Sequence, residues 1–146
     1  MANVAEYTEK NINYGSRFSN QEFKIRNTID AVSHATCAMA MDVNARCIVV
    51  HSRSGITARM VSRFRCPIDI IGMTTNEKSW RKLNLSWGVI PILNEEFTST
   101  DVMFYHGLQV AKDIMKLECG DRVVMTGGLI NGKKGNTNTI KVETVS

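Results

Sequence analysis

Proline is scarce in this chain, with two among 146 residues, and no stretch is built from only a few residue types. A long flexible linker between domains needs a composition of that kind, so none is expected. The hydrophobic fraction of 43% can form a core, and a chain of this length most economically forms a single main domain. We expect an N-terminal helix and loop over residues 1–21, followed by one domain over residues 22–146.

Long apolar runs are also missing. None approaches the roughly 20 residues of a membrane span, and residues 1–6 lack a signal-peptide core. The four cysteines contain no C-x-x-C pair, and each lies in or beside an apolar segment. Buried free thiols are typical of intracellular proteins. We therefore expect a cytoplasmic protein with no membrane partner, no metal site and no cofactor of its own.

Basic residues outnumber acidic ones, giving a net charge of +4 and a pI near 9.0. They are scattered along the chain, and no repeat of basic and aromatic residues accompanies them. This pattern argues against a nucleic-acid partner and fits a small anionic ligand better.

Short β-branched segments alternate with segments of helical periodicity. Strands are predicted at residues 48–50, 68–73, 89–93, 122–125 and 139–145, and helices at residues 2–14, 25–41, 58–64, 77–87 and 100–117. This alternation predicts a three-layer α/β/α fold with a five-stranded, mostly parallel sheet in the order 3-2-1-4-5. The last strand follows its neighbour after a short loop and is therefore antiparallel. Pro91 places the third strand at an edge.

The segment after the first strand has the chemistry of a phosphate-binding loop. Three hydroxyls surround Gly55, which can adopt a positive φ, and the next residues begin a helix. The N-terminus of a helix favours an anion through its unpaired N–H groups and its dipole. The simpler interpretation is that Ser52, Ser54 and Thr57 only cap the helix.

A second glycine-rich loop, residues 127–135, follows the fourth strand, and residues 136–138 are expected to brace the hairpin beyond it. In the order 3-2-1-4-5 the first and fourth strands flank the topological switch point, so both loops converge on one crevice. The alternative interpretation of the second loop is an exposed basic loop that binds no ligand. The predicted anion-site residues are Ser52, Arg53, Ser54, Gly55, Ile56, Thr57, Gly127, Gly128, Lys133, Lys134 and Gly135; no catalytic residue is predicted.

Three motifs carry a resemblance to a known family. In one-letter code they are S-R-S-G-I-T-A-R-M-V-S-R-F-R from Ser52, L-S-W-G-V-I-P-I-L from Leu85, and G-D-R-V-V-M-T-G-G from Gly120 with G-N-T-N-T-I-K-V after it. Together they resemble the C-terminal domain of pyruvate kinase, and residues 1–6 resemble the helix that leaves the catalytic barrel of that family.

The resemblance implies a function. Family members transfer phosphate from phosphoenolpyruvate to ADP in a (β/α)8 barrel with a divalent metal, such as magnesium, and potassium. The barrel has no counterpart here, so no kinase activity is expected of this chain alone. The C-terminal domain of the family binds allosteric effectors and helps to build a tetramer. The expected partners are a phosphorylated effector, the protein's own catalytic barrel and further copies of the chain, as a dimer here and a tetramer at full length.

The resemblance also bears on the effector. In members regulated by fructose 1,6-bisphosphate, a tryptophan and an arginine near the start of the long helix hold the second phosphate. Residues 95–103 contain neither. A bisphosphate would depend on Lys133 or Lys134, and a monophosphate such as AMP, ribose 5-phosphate or a hexose 6-phosphate fits equally well.

Two other functions stay open. The S-x-S-G-x-T pattern resembles the loop of sugar isomerase domains, which would make the chain a sugar-phosphate-binding protein or an isomerase, with His51 and Glu77 as candidate bases. Alternatively, the chain is a purely structural assembly module, in which the exposed last strand pairs with its twin.

Overall fold

The computed structural model describes residues 1–128 and 137–146, in which five strands form one sheet. They are β1 (Cys47–His51), β2 (Asp69–Thr74), β3 (Val89–Leu93), β4 (Arg122–Gly127) and β5 (Thr139–Thr144). Their order is β3-β2-β1-β4-β5, with every pairing parallel except β4 with β5. The predicted topology, including the edge position of the strand that contains Pro91, is confirmed.

Helices cover both faces of the sheet, as successive strand residues point to opposite sides. The helices are α1 (Ala2–Asn11), α2 (Tyr14–Asn20), α3 (Thr28–Asp42), α4 (Ile56–Arg63), α5 (Glu77–Leu83) and α6 (Thr100–Met115). Residues of α3, α4 and α5 join Ile48 and Val50 in one core cluster, whereas α6 packs with Val49 and Met125 on the opposite face. The predicted three-layer α/β/α architecture is confirmed.

The N-terminal segment differs from the prediction of one helix and a loop over residues 1–21. A second helix, α2, occupies most of the predicted loop. The Asn13 side chain accepts a hydrogen bond of 2.9 Å from the Ser16 N–H and caps this helix, while Phe18 is buried in the core beside α3. No residue of α1 is buried. A single apolar anchor and an asparagine cap therefore outweigh the polar composition of this stretch.

The helix predicted at residues 77–87 ends earlier, at Leu83, and Trp87 lies in the turn that follows. The Trp87 indole packs on Tyr14 with ring centroids 4.9 Å apart, and its Nε1 donates a 2.9 Å hydrogen bond to Glu9 Oε1. Trp87 is thus a packing anchor for the N-terminal helices.

Three cysteines are buried and free, but Cys119 is exposed, so the prediction of four buried thiols is wrong for that residue. The segment around Cys119 is the turn before β4, where the chain returns to the surface. Within residues 1–128 and 137–146, no helix combines the length and apolar character required to cross a bilayer.

Candidate functional site

The loop after β1 is held against β2 by two hydrogen bonds. The Ser52 N–H donates to the Met73 carbonyl at 3.0 Å, and the Thr74 hydroxyl donates to the Arg53 carbonyl at 2.9 Å. Gly55 then closes a tight turn, with φ of 76° and its N–H 3.3 Å from the Ser52 carbonyl. The left-handed conformation at this position favours glycine. The loop therefore enters α4 in a fixed geometry.

Among the described residues, two backbone N–H donors at the N-terminus of α4 have no hydrogen-bond partner. Gly55 is the N-cap, without a side-chain hydrogen bond, so the simpler interpretation, in which Ser52, Ser54 and Thr57 only cap the helix, is wrong. The Ser54 hydroxyl lies 3.4 Å from the Ile56 N–H, which is a long contact. Within the described part of the chain, no hydrogen bond uses the backbone N–H of Thr57 or Ala58. These donors add to the positive end of the helix dipole.

The second loop leaves the sheet beside the first. Val50 of β1 is in register with Thr126 of β4, so Gly127 lies next to His51. A Cβ on Gly127 would lie 3.0 Å from Met103 Cε and 3.2 Å from His51 Cβ, which leaves little room for a side chain. Gly128 follows and is half-buried. Lys133, Lys134 and Gly135 lie outside the described residues.

A direct hydrogen bond joins the two segments. The hydroxyl oxygens of Thr57 and Thr137 are 2.6 Å apart, and the residues are 3% and 5% exposed. Asn138 does brace the hairpin, because its N–H donates to the Gly127 carbonyl at 3.2 Å. Sequence reasoning assigned Thr137 the same role and did not include it in the site. Only the predicted convergence of the two loops could have pointed to it.

The Arg53 side chain faces another part of the same sheet edge. Its guanidinium forms an ion pair of 3.6 Å with Glu96, on the segment between β3 and α6. The two residues border an open groove of about 580 Å³ at the carboxyl ends of β2 and β3. Glu77, Glu95, Asn76 and Asn94 also line it. Arg53 is therefore paired with a carboxylate, and the groove is rich in negative charge.

The two candidate isomerase bases lie in different environments. His51 is buried, and its ring packs edge-on against Phe97 and Phe104, with centroid distances of 6.2 and 5.8 Å. Burial, followed by the charge of His106, lowers the pKa of His51 to about 4. Glu77 lies in the exposed groove and pairs with Arg81. A buried histidine with a depressed pKa is a poor general base in this arrangement.

Metal chemistry has no obvious place among the described residues. Across residues 1–128 and 137–146, no group of three or more histidine, cysteine, aspartate or glutamate side chains is arranged to hold a metal ion. The carboxylates of the groove are spread along its rim, on α5 and on the segment after β3. The arrangement at the start of α4 offers donors for an anion instead.

Comparison with known proteins identifies the same fold family. The family described as "Pyruvate kinase, alpha/beta domain" matches residues 30–143. Pyruvate kinase of Clostridium acetobutylicum is 37% identical over 149 residues, covering 99% of this chain and 31% of that protein. Pyruvate kinase of Staphylococcus saprophyticus is 30% identical over 146 residues, covering 99% of this chain and 25% of that protein.

A third relative, pyruvate kinase of Lactobacillus delbrueckii subsp. bulgaricus, is 32% identical over 125 residues, covering 86% of this chain and 21% of that protein. The chain thus spans a third or less of the length of these relatives. The match runs from the start of α3 through β4 into β5, and so includes the loop at the start of α4. This chain belongs to the pyruvate kinase α/β domain family.

Proposed function

We propose that this chain is the allosteric regulatory and oligomerisation domain of a pyruvate kinase, and that it binds a phosphorylated effector at residues 52–57. In this proposal the chain has no kinase activity alone. Transfer of phosphate from phosphoenolpyruvate to ADP, with magnesium and potassium, belongs to a catalytic barrel against which the domain packs. The proposed location is the cytoplasm.

The observation that carries the proposal is the arrangement at the start of α4. The N–H groups of Thr57 and Ala58 are free of partners in the described residues, and the Ser52 and Ser54 hydroxyls lie on the preceding turn. A phosphoryl group there would accept several charge-assisted hydrogen bonds, each contributing about 1.5–3 kcal/mol. Gly127 and Gly128 would form the neighbouring wall of the site.

The charge around the site favours one phosphoryl group over two. Three carboxylates line the groove next to the loop, and Arg53, the basic residue within the loop, is paired with Glu96. A second phosphate placed in that groove would meet like charges. We therefore propose a monophosphate, such as AMP, ribose 5-phosphate or a hexose 6-phosphate.

The oligomerisation part of the proposal concerns β5. This strand is the last in the sheet, and Val142 on it is exposed. An unpaired strand edge is a template for pairing with a second copy of the chain. We expect a dimer in sedimentation velocity, and Val142→Lys should shift it towards monomer. A wild-type protein that is monomeric at every concentration tested would contradict this part and would leave effector binding unaffected.

The test of effector binding is calorimetric titration of the chain with AMP, ribose 5-phosphate and glucose 6-phosphate. Replacing both Ser52 and Ser54 with alanine removes two hydroxyl donors and should weaken binding at least tenfold, with each lost bond worth roughly 1 kcal/mol or more. Ser19→Ala is the matched control, because Ser19 is an exposed helical serine far along the chain from the loop, and its hydroxyl donates to the Gly15 carbonyl. It should leave binding unchanged.

Two outcomes of the titration would contradict the proposed effector binding. If the folded wild-type protein binds none of these phosphates, the effector proposal is wrong and the assembly-module function is favoured. If it binds a sugar phosphate and also interconverts hexose or pentose phosphates, the isomerase function replaces it.

A further inference from the structure

The Thr57–Thr137 hydrogen bond has only one hydrogen between two oxygens. Each threonine hydroxyl offers one hydrogen and two lone pairs, so a bond between two hydroxyls uses one hydrogen and leaves the other free. At 2.6 Å either oxygen can be the donor. In the described part of the chain, neither hydroxyl has a second hydrogen-bond partner. The direction of this bond therefore decides which threonine can donate to something else.

The two directions have opposite consequences for an anion at the start of α4. If Thr137 donates, Thr57 keeps its hydrogen and can give it to a phosphoryl oxygen. If Thr57 donates, it presents only lone pairs, which repel the anion. Thr57 is the second residue of α4, beside the N–H groups that have no partner in the described residues. An anion bound there selects the first direction, and the chain Thr137 to Thr57 to phosphoryl oxygen is mutually polarising.

We propose that Thr137 is a positioning residue of the effector site, which fixes the Thr57 hydroxyl as a donor to the bound phosphate. This inference rests on the proposed function. Thr137 acts through Thr57 and needs no contact with the ligand. The bond also joins a residue just before β5 to the first turn of α4, so ligand binding at residues 52–57 is linked to the hairpin of β4 and β5.

The decisive variant is Thr137→Val, which keeps the shape of the side chain and removes its hydroxyl. We expect calorimetric titration with ribose 5-phosphate and with inorganic phosphate to show about tenfold weaker binding than wild type, since the Thr57 hydroxyl keeps its hydrogen but loses the bond that orients and polarises it. Thr137→Ser retains the hydroxyl and should restore the affinity.

Thr126→Val is the matched control. Thr126 is a fully buried threonine of the same hairpin, and its hydroxyl donates to the Thr139 carbonyl at 2.9 Å, away from Thr57. This variant should lower the melting temperature and leave the dissociation constants unchanged. A purely structural role of Thr137 would make Thr137→Val behave in the same way.

Three results would overturn the inference. Wild-type affinity in Thr137→Val contradicts the positioning role and leaves the effector site standing. An equal loss in Thr126→Val shows that the effect is a general loosening of the hairpin. Absence of binding by wild-type protein removes the proposed function and this inference with it.

A second measurement applies if Thr137→Val does not fold. In wild-type protein with ¹³C-labelled threonine methyl groups, addition of phosphate should shift the Thr57 and Thr137 resonances together, and the three-bond couplings of Thr57 should report one χ1 rotamer. A shift of Thr57 without any shift of Thr137 contradicts the proposal.

Discussion

The carboxyl ends of β1 and β2 each lead into a helix, but the two helix starts differ in how their donors are used. At α5, which follows β2, the Asn76 side chain accepts a 2.9 Å hydrogen bond from the Ser79 N–H. At α4, which follows β1, the N-cap is Gly55 and provides no such acceptor. Donors already satisfied by a side chain are less available to a ligand. The start of α4 is therefore the better place for an anion.

The surroundings of the two helix starts differ in the same sense. Beneath the β1 end, His51, Phe104 and Gly107 form a close-packed layer. The β2 and β3 ends border the open groove with Glu77, Glu95 and Glu96. Electrostatic interactions are stronger where water is excluded, and carboxylates repel a phosphate. Strand topology thus brings several polar segments to one edge, while capping and charge decide which of them suits an anion.

The largest effect expected from the packed layer beneath the β1 end is a loss of stability at acidic pH. His51 is neutral in the folded protein, because its pKa is lowered from 6.5 to about 4. Between these values the unfolded chain binds more protons than the folded one, so stability falls as pH falls from 6.5 towards 4. Urea unfolding at pH 7 and pH 5 should differ by roughly 2 kcal/mol from this group alone.

His51→Leu removes the titrating group and keeps an apolar side chain in the site. The difference in unfolding free energy between pH 7 and pH 5 should shrink by most of that amount, whatever the variant's stability at pH 7. An unchanged difference would mean that other groups cause the acid sensitivity. The packed layer beneath the β1 end would then not be a desolvated environment for His51.

A smaller effect is expected from filling the space between α6 and His51. A Cβ on Gly107 would lie 2.6 Å from His51 Nε2, so Gly107→Ala must displace the ring. Overpacking costs about 1–3 kcal/mol, while alanine is favoured over glycine in a helix by roughly 1 kcal/mol. We expect a net loss of about 1 kcal/mol in chemical denaturation.

Gly15→Ala is the control for this substitution. A Cβ at Gly15, also in a helix, would have no neighbour nearer than 3.6 Å, so alanine should be neutral or stabilising. If Gly107→Ala were as stable as Gly15→Ala, the His51 ring would have room to move, and the close packing at the β1 end would be contradicted.

Much of the fold could be predicted from the sequence, because hydrophobic periodicity and turn-forming residues are local features of the chain. The β-branched segments and Pro91 predicted all five strands and the edge position of β3, and the helix predicted from residue 100 begins there as α6. The second N-terminal helix was missed because its stability comes from Phe18, whose burial depends on packing with distant residues.

For the candidate site, the sequence predicted which segments meet but not which side chains pair. The order of the strands brings residues 52–57 and Gly127 to one edge, as expected. The partner of each side chain depends on tertiary geometry: Arg53 pairs with Glu96, and Thr57 pairs with Thr137 across 80 positions of sequence. Whether these residues hold a phosphate stays a prediction, which titration with the three monophosphates tests.

The smallest effect concerns the charge of the groove. Arg53 and Glu96 are 59% and 71% exposed and 3.6 Å apart, and exposed ion pairs of this kind contribute about 0–1 kcal/mol. Glu96→Gln should therefore change the unfolding free energy by less than about 0.5 kcal/mol.

The same substitution frees the Arg53 guanidinium and removes a like charge near the loop, so affinity for AMP should rise about twofold at low ionic strength and less in added salt. Glu6→Gln removes one partner of another exposed pair, Lys10–Glu6, on α1 and should leave AMP affinity unchanged. Equal affinities for the two variants would mean that the groove's carboxylates do not act on a ligand at the start of α4, and that capping alone distinguishes the two helix starts.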